Sequence, residues 1–242
     1  MVLEIELQVK EGGEIEVITI DLSRIIKESI SGEVVLSKDE AEKKIEKSKM
    51  FHYDKAVKDD TLCLIKKENG YTEITEDVNP YYKTIVVLLE SPHKAEYTED
   101  FAPIRPLNSN DPRVKLKKAL KDIINSDNDL SDGLYRILLV NPIQFQTSMY
   151  EIFGLPVQGR TGKKIRDKVW DTLWKLDSIK DCLSDRLKKL ELDLKMIIIS
   201  TTKQFRPEIR TFLNDRFKHI KTKEIHHPSC RELSLIKNAK KK

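Results

Sequence analysis

Apolar positions along the chain alternate between short β-branched runs and longer stretches at helical spacing. Residues 1–20 read as two alternating strands around Glu11-Gly12-Gly13, a hairpin pattern. Ser37 and Glu40 form a capping box that opens a charged helix to about Met50. Residues 61–75 predict a second hairpin around the turn dipeptide Asn69-Gly70. After residue 80 the rhythm changes to strands alternating with helices. Thr84–Leu89, Arg136–Val140, Met196–Ile199 and Thr222–Ile225 read as strands. Asp111-Pro112 starts a helix, with Asp as N-cap, whose stripe is Leu116, Ala119, Leu120, Ile123 and Ile124. Further helices are expected across about 163–193 and around 206–217, with Pro207 near the start of the latter. Continuous apolar runs joined by helices predict a three-layer α/β/α fold with a mainly parallel central sheet.

The expected division is an acidic α+β elaboration at 1–80, an α/β core at 81–236 and a basic, disordered tail at 237–242. Asp77-Val78-Asn79-Pro80 marks the first boundary.

Three polar patches each follow a strand directly: Glu90-Ser91-Pro92-His93, Asn141-Pro142 and His226-His227-Pro228-Ser229. In an open parallel sheet, ligands bind beyond the carboxyl ends of the strands. Parallel neighbours would therefore bring a carboxylate, an amide and an imidazole to one edge.

Composition narrows the partner. Of 242 residues, 35% are charged and 39% hydrophobic, and no apolar run approaches the ~20 residues of a membrane span. The acidic, alternating N-terminus is unlike a signal peptide, so a cytoplasmic location away from any membrane is expected. Cys63, Cys182 and Cys230 are too far apart for a CxxC metal pair and read as reduced thiols. The net charge of +4 conceals an asymmetry. Residues 1–100 hold 14 Lys+Arg against 23 Asp+Glu, a net of −9, and residues 101–242 hold 30 against 17, a net of +13. The basic half suits a polyanion such as nucleic acid, with ordinary solvated helix faces as the alternative. Gly154–Thr161 approaches a phosphate-binding loop, but Arg160 replaces the required Lys and the segment joins no strand to a helix, so nucleotide hydrolysis is rejected.

The three patches together resemble the uracil-DNA glycosylase superfamily. Glu90-Ser91-Pro92-His93 is similar to its first motif with the Pro in register, and Glu96 follows Glu90 at the spacing of the thermophile-type branch. Phe101 with Arg105-Pro106 resembles the segment that supplies a base-stacking ring. Asn141 matches the base-reading Asn, and His227-Pro228-Ser229 the C-terminal motif. The resemblance covers about residues 81–235. It departs where Ser91 holds the position of the water-activating Asp, Leu89 that of a Gly and His93 that of a Tyr. The cysteines of the iron–sulfur branches are absent.

The resemblance implies a cofactor-independent, monofunctional DNA glycosylase, expected to be monomeric, that flips out a damaged or modified pyrimidine. Uracil is the default substrate, and a bulky modified cytosine is left open by His93 and Ser91. Glycosidic cleavage builds positive charge on the sugar and negative charge on the departing base, so donors must face the base oxygen and some group must place water at the sugar. In that scheme His227 stabilises the leaving base, Glu90 positions water or steadies the sugar cation, and Ser91 and Glu96 assist. Asn141 reads the base edge, Phe101 stacks on it and His93 lines its C5 side. Ser229, Arg231 and Leu233 touch the flipped nucleotide's phosphates or fill the gap it leaves. Arg160, Lys163, Lys164 and Arg166 add sequence-independent phosphate contacts.

Plain structural roles compete with each assignment. Glu90 can shape its turn by bonding backbone, Asn141 can be a turn residue before Pro142, Phe101 can pack in the core and Glu96 can sit on the surface. The functional alternative is a DNA-binding protein on this scaffold that has lost catalysis, which the Ser at position 91 motivates.

Overall fold

The central strand of the main sheet, Lys83–Leu88, is buried from Thr84 onward on both of its faces, and this is why its sequence is continuously apolar instead of alternating. The structure is a computed structural model, and it describes residues 4–11, 14–21, 52–68, 70–74, 82–148 and 159–228. Among these residues the strands are β1 (Glu4–Glu11), β2 (Glu14–Asp21), β3 (Asp60–Lys67), β4 (Tyr71–Ile74), β5 (Lys83–Leu88), β6 (Gly133–Val140), β7 (Leu194–Ile199) and β8 (Lys221–Glu224). The helices are α1 (Asn110–Asn125), α2 (Gly159–Trp174), α3 (Asp177–Lys188) and α4 (Arg206–Arg216).

Two compact units, interleaved in sequence, divide the chain. The first comprises Met1–Lys58, Ser91–Ile104 and Pro142–Asp185, and the second Asp59–Glu90, Arg105–Asn141 and Arg186–Lys242. The first unit contains the antiparallel hairpin β1–β2, whose register pairs Glu11 with Glu14 across the expected turn. It also contains α2, on which Trp170 and Trp174 stack with ring centroids 5.2 Å apart.

The second unit holds an α/β arrangement around a mixed six-stranded sheet in the order β4-β3-β6-β5-β7-β8. The pairs β5–β6, β5–β7 and β7–β8 are parallel, whereas β3–β6 and β3–β4 are antiparallel. The expected hairpin at 61–75 is therefore present as β3 and β4, but it extends the main sheet across the boundary placed at residue 80. Such antiparallel edges are common on otherwise parallel sheets. The expected helix at 37–50 lies outside the described residues, as does the 237–242 tail.

Helix α1 buries the predicted stripe Leu116, Ala119, Leu120, Ile123 and Ile124. Its leucines and isoleucines join Ile85, Val87, Ile137, Leu139, Met196 and Ile198 in one core, each such side chain contributing about 1.5–3 kcal/mol. The helix begins at Asn110 with Ser109 as N-cap, slightly ahead of the expected Asp111-Pro112 start. Pro112 is accommodated because first-turn N–H groups lack intrahelical acceptors in any case. Register places Glu224 beside Ile199, on the sheet face opposite Ile198, and Arg210 of α4 pairs with it there.

An ion-pair cluster fastens edge strand β8 to the turn after α1. Asp127, whose side chain is 1% exposed, meets Lys221 at 2.8 Å and Lys223 at 2.5 Å and accepts from the Asp129 N–H at 3.0 Å. Burial pushes its carboxyl up, but the two lysines outweigh burial and hold it at about 2, below the ordinary 3.8. A carboxyl depressed in the folded state stabilises above its unfolded value, and that stabilisation is lost as pH falls from about 4 to about 2. The loss is about 2 kcal/mol. Asp127→Asn is expected to lower urea stability at pH 7 by about that amount and to flatten the acid limb of the stability profile. Urea titrations between pH 7 and pH 2 check both.

Candidate active site

Four adjacent parallel strands, β6-β5-β7-β8, end at one edge of the sheet. One further backbone bond extends each pairing: Leu89 N–H to Val140 O at 2.9 Å, Ser200 N–H to Leu88 O at 2.8 Å and Ile225 N–H to Ile199 O at 3.0 Å. The next residues are Asn141, Glu90, Thr201 and His226, in that spatial order. At about 4.8 Å per strand, this row extends roughly 15 Å. Strand order reverses between β5 and β7, since β5 leads outward to β6 on one side while the chain returns past it to β7 on the other. That reversal is the topological switch point, where open α/β sheets bind ligands.

Glu90 lies at the switch point and is 5% exposed. Its Oε2 accepts from the Thr202 N–H at 3.2 Å, a link from the end of β5 to the segment after β7. This is the backbone-bonding role foreseen as the structural alternative, and it also fixes the carboxylate in place. Asn141 is wholly buried, and its carbonyl accepts from Arg186 Nη2 at 2.9 Å. Arg186 Nη1 pairs with Asp59 at 2.5 Å. Burial pushes the Asp59 carboxyl up, and the Arg186 charge pulls against it.

His227 is half-buried and His226 exposed. The turn that carries them is held at two carbonyls: Ser200 Oγ donates to His226 O at 3.2 Å and Arg206 Nη2 to Ile225 O at 2.9 Å. Ser200–Thr202, Arg186 and Arg206 were not singled out from sequence. The only sequence signal for the first was its place directly after the apolar run ending at Ile199. Thr201 is wholly buried, and its hydroxyl has no hydrogen-bond partner among the described residues.

The remaining predicted residues that the structure describes belong to the first unit. Ser91 shares a 2.9 Å hydrogen bond with the Thr147 hydroxyl. His93 is exposed, and its Nδ1 caps the short 3-10 turn Lys94–Glu96 by accepting from the Ala95 N–H at 3.2 Å. Glu96 is buried, against the expected surface alternative. Phe101 is half-buried at φ 56°, in the left-handed region that costs a bulky residue about 1–2 kcal/mol. It sits in a turn closed by Thr98 N–H to Ala102 O at 2.9 Å and Ala102 N–H to Thr98 Oγ1 at 2.9 Å. Strain of this kind collects at functional positions.

Arg160, Lys163 and Lys164 are exposed on α2, while Arg166 is half-buried and paired with Asp167 at 2.6 Å. Ser229, Arg231 and Leu233 lie outside the described residues. Among the described residues no group of three or more His, Cys, Asp or Glu is arranged to hold a metal ion, and no helix is long and apolar enough to cross a membrane. No family model matches the chain, and neither a curated protein nor a solved structure does.

Proposed function

We propose that the protein is a DNA N-glycosylase that extrudes a damaged or modified pyrimidine and hydrolyses its glycosidic bond, leaving an abasic site. The observation that carries this reading is the row Asn141, Glu90, Thr201, His226-His227 at the carboxyl edge of four parallel strands, with Glu90 bonded across the switch point. We take the parallel run β6-β5-β7-β8 as the functional core of a three-layer α/β/α fold, and β3–β4 as its antiparallel extension.

The chemistry follows from the groups. The bond between C1′ and the base nitrogen breaks with its electron pair leaving on the base, and water supplies the oxygen that bonds C1′. Glu90, a held carboxylate, opposes the positive charge on the sugar and takes up the proton that water releases. His227 donates a hydrogen bond to the base oxygen on which negative charge develops. Asn141 carries one donor and one acceptor side by side, the pattern needed to read a pyrimidine edge. Such enzymes reach their target only after the base leaves the stack.

The exposed cations of α2 support a DNA partner. Replacing Arg160, Lys163 and Lys164 together by Ala is expected to lower the salt slope of duplex affinity by about 0.9 for each phosphate that the variant no longer neutralises. Fluorescence anisotropy across a salt series measures this, and an unchanged slope removes α2 from the interface.

The deciding experiment is a single-turnover assay on oligonucleotides carrying uracil, mismatched thymine or modified cytosines, with abasic sites revealed by alkaline cleavage. Excision of one of these bases is expected. DNA bound with every base left intact excludes the glycosylase reading in favour of a non-catalytic binder.

A further inference from the structure

We propose that Arg186, braced by Asp59, is a positioning residue for Asn141 and thereby sets which base the site accepts. The inference rests on the glycosylase reading, because it assigns Asn141 the task of reading the base. The guanidinium of Arg186 donates to Asp59 Oδ1 at 2.5 Å and to the Asn141 carbonyl at 2.9 Å. Both side chains of the pair are largely buried, at 16% and 19% exposure. A guanidinium holds two acceptors at fixed angles, which an ammonium does not.

What the bond controls is the backbone that aims the Asn141 side chain. On its N-terminal side the strand pairing ends at Val140, whose carbonyl accepts from Leu89 N–H at 2.9 Å. On its C-terminal side Pro142 confines the preceding residue to extended conformations and offers no N–H of its own. Arg186 grips the carbonyl oxygen of the peptide between Asn141 and Pro142, and so restrains the orientation of that peptide plane. Two candidate site residues are thus steadied from outside their own strands: Glu90 by the Thr202 N–H, and Asn141 by Arg186. A reading amide displaced by about 1 Å loses on the order of 100-fold in a well-fitted site.

The test compares wild type, Arg186→Lys, Arg186→Gln and Asp59→Asn in the full chain, by two measurements. The first is the single-turnover ratio of excised base to unmodified pyrimidine in matched oligonucleotides. A merely structural role lowers both rates together, whereas a positioning role lowers the ratio, expected to fall about 10- to 100-fold in Arg186→Lys and less in Asp59→Asn. The second is the side-chain amide resonance pair of Asn141, identified by its loss in Asn141→Ala and expected to shift in both Arg186 variants. If the enzyme is active and the ratio is unchanged in folded Arg186→Lys, the proposal is overturned. If wild type excises nothing, the glycosylase reading falls, and the positioning claim is decided by the resonances alone. Unmoved resonances overturn it, and shifted ones sustain it.

Discussion

Glu90→Gln is expected to slow single-turnover excision by about 10²- to 10⁴-fold while leaving the fold in place. The two halves of that expectation have separate causes. Glutamine keeps a carbonyl oxygen that can accept from the Thr202 N–H, so the 3.2 Å link between the ends of β5 and β7 can persist. On the proposed mechanism, the substitution removes the negative charge that opposes the sugar cation and the site that takes the proton from water. Glu90→Ala removes the charge and also strands the Thr202 N–H, adding a stability cost of about 1–3 kcal/mol. Thermal unfolding alongside kinetics separates the effects. A Gln variant with full activity would reduce Glu90 to a turn-shaping carboxylate.

Much of the second unit was legible because burial writes itself directly into apolar runs. β5, β6, β7 and the stripe of α1 could be read from Ile, Val and Leu spacing, since each must shed its apolar surface into the same core. Three members of the row at the sheet edge, Glu90, Asn141 and His226, were legible for a related reason: a buried strand has to end in groups that can meet solvent or ligand, whereas Thr201 carried no such mark. The attachment of β3 to β6 was not, because pairing depends on backbone hydrogen bonds that carry no side-chain signature. Nor was the bracing of the site. Arg186 and Asp59 are 127 positions apart, and nothing local marks either as the other's partner. Ser200 was missed because a serine after a strand is ordinary until its hydroxyl is found on the His226 carbonyl. Phe101 shows the opposite case. Its ring was read as a stacking group, but its left-handed backbone is visible only in three dimensions.

If uracil is the base excised, as the proposed function takes by default, His227→Ala is expected to cost about 10²- to 10³-fold in the rate of its release, the usual effect of removing one fixed donor to a developing oxyanion. Rate alone does not separate a donor from a packing residue, because a half-buried ring also fills space. Leaving-group dependence does. Fluorine at C5 lowers the basicity of the departing base, so 5-fluorouracil needs less help from a hydrogen-bond donor. In His227→Ala the rate on 5-fluorouracil should therefore fall much less than the rate on uracil, and the ratio of the two should rise. On the proposed mechanism Glu90 serves the sugar side, so Glu90→Gln should depress both rates alike, leaving that ratio near its wild-type value. His226→Ala, which removes an exposed ring and leaves the carbonyl held by Ser200, should alter neither rate by more than a few-fold. An unchanged ratio in His227→Ala, with the protein folded, would take the histidine away from the leaving base and make it a packing residue of the turn after β8.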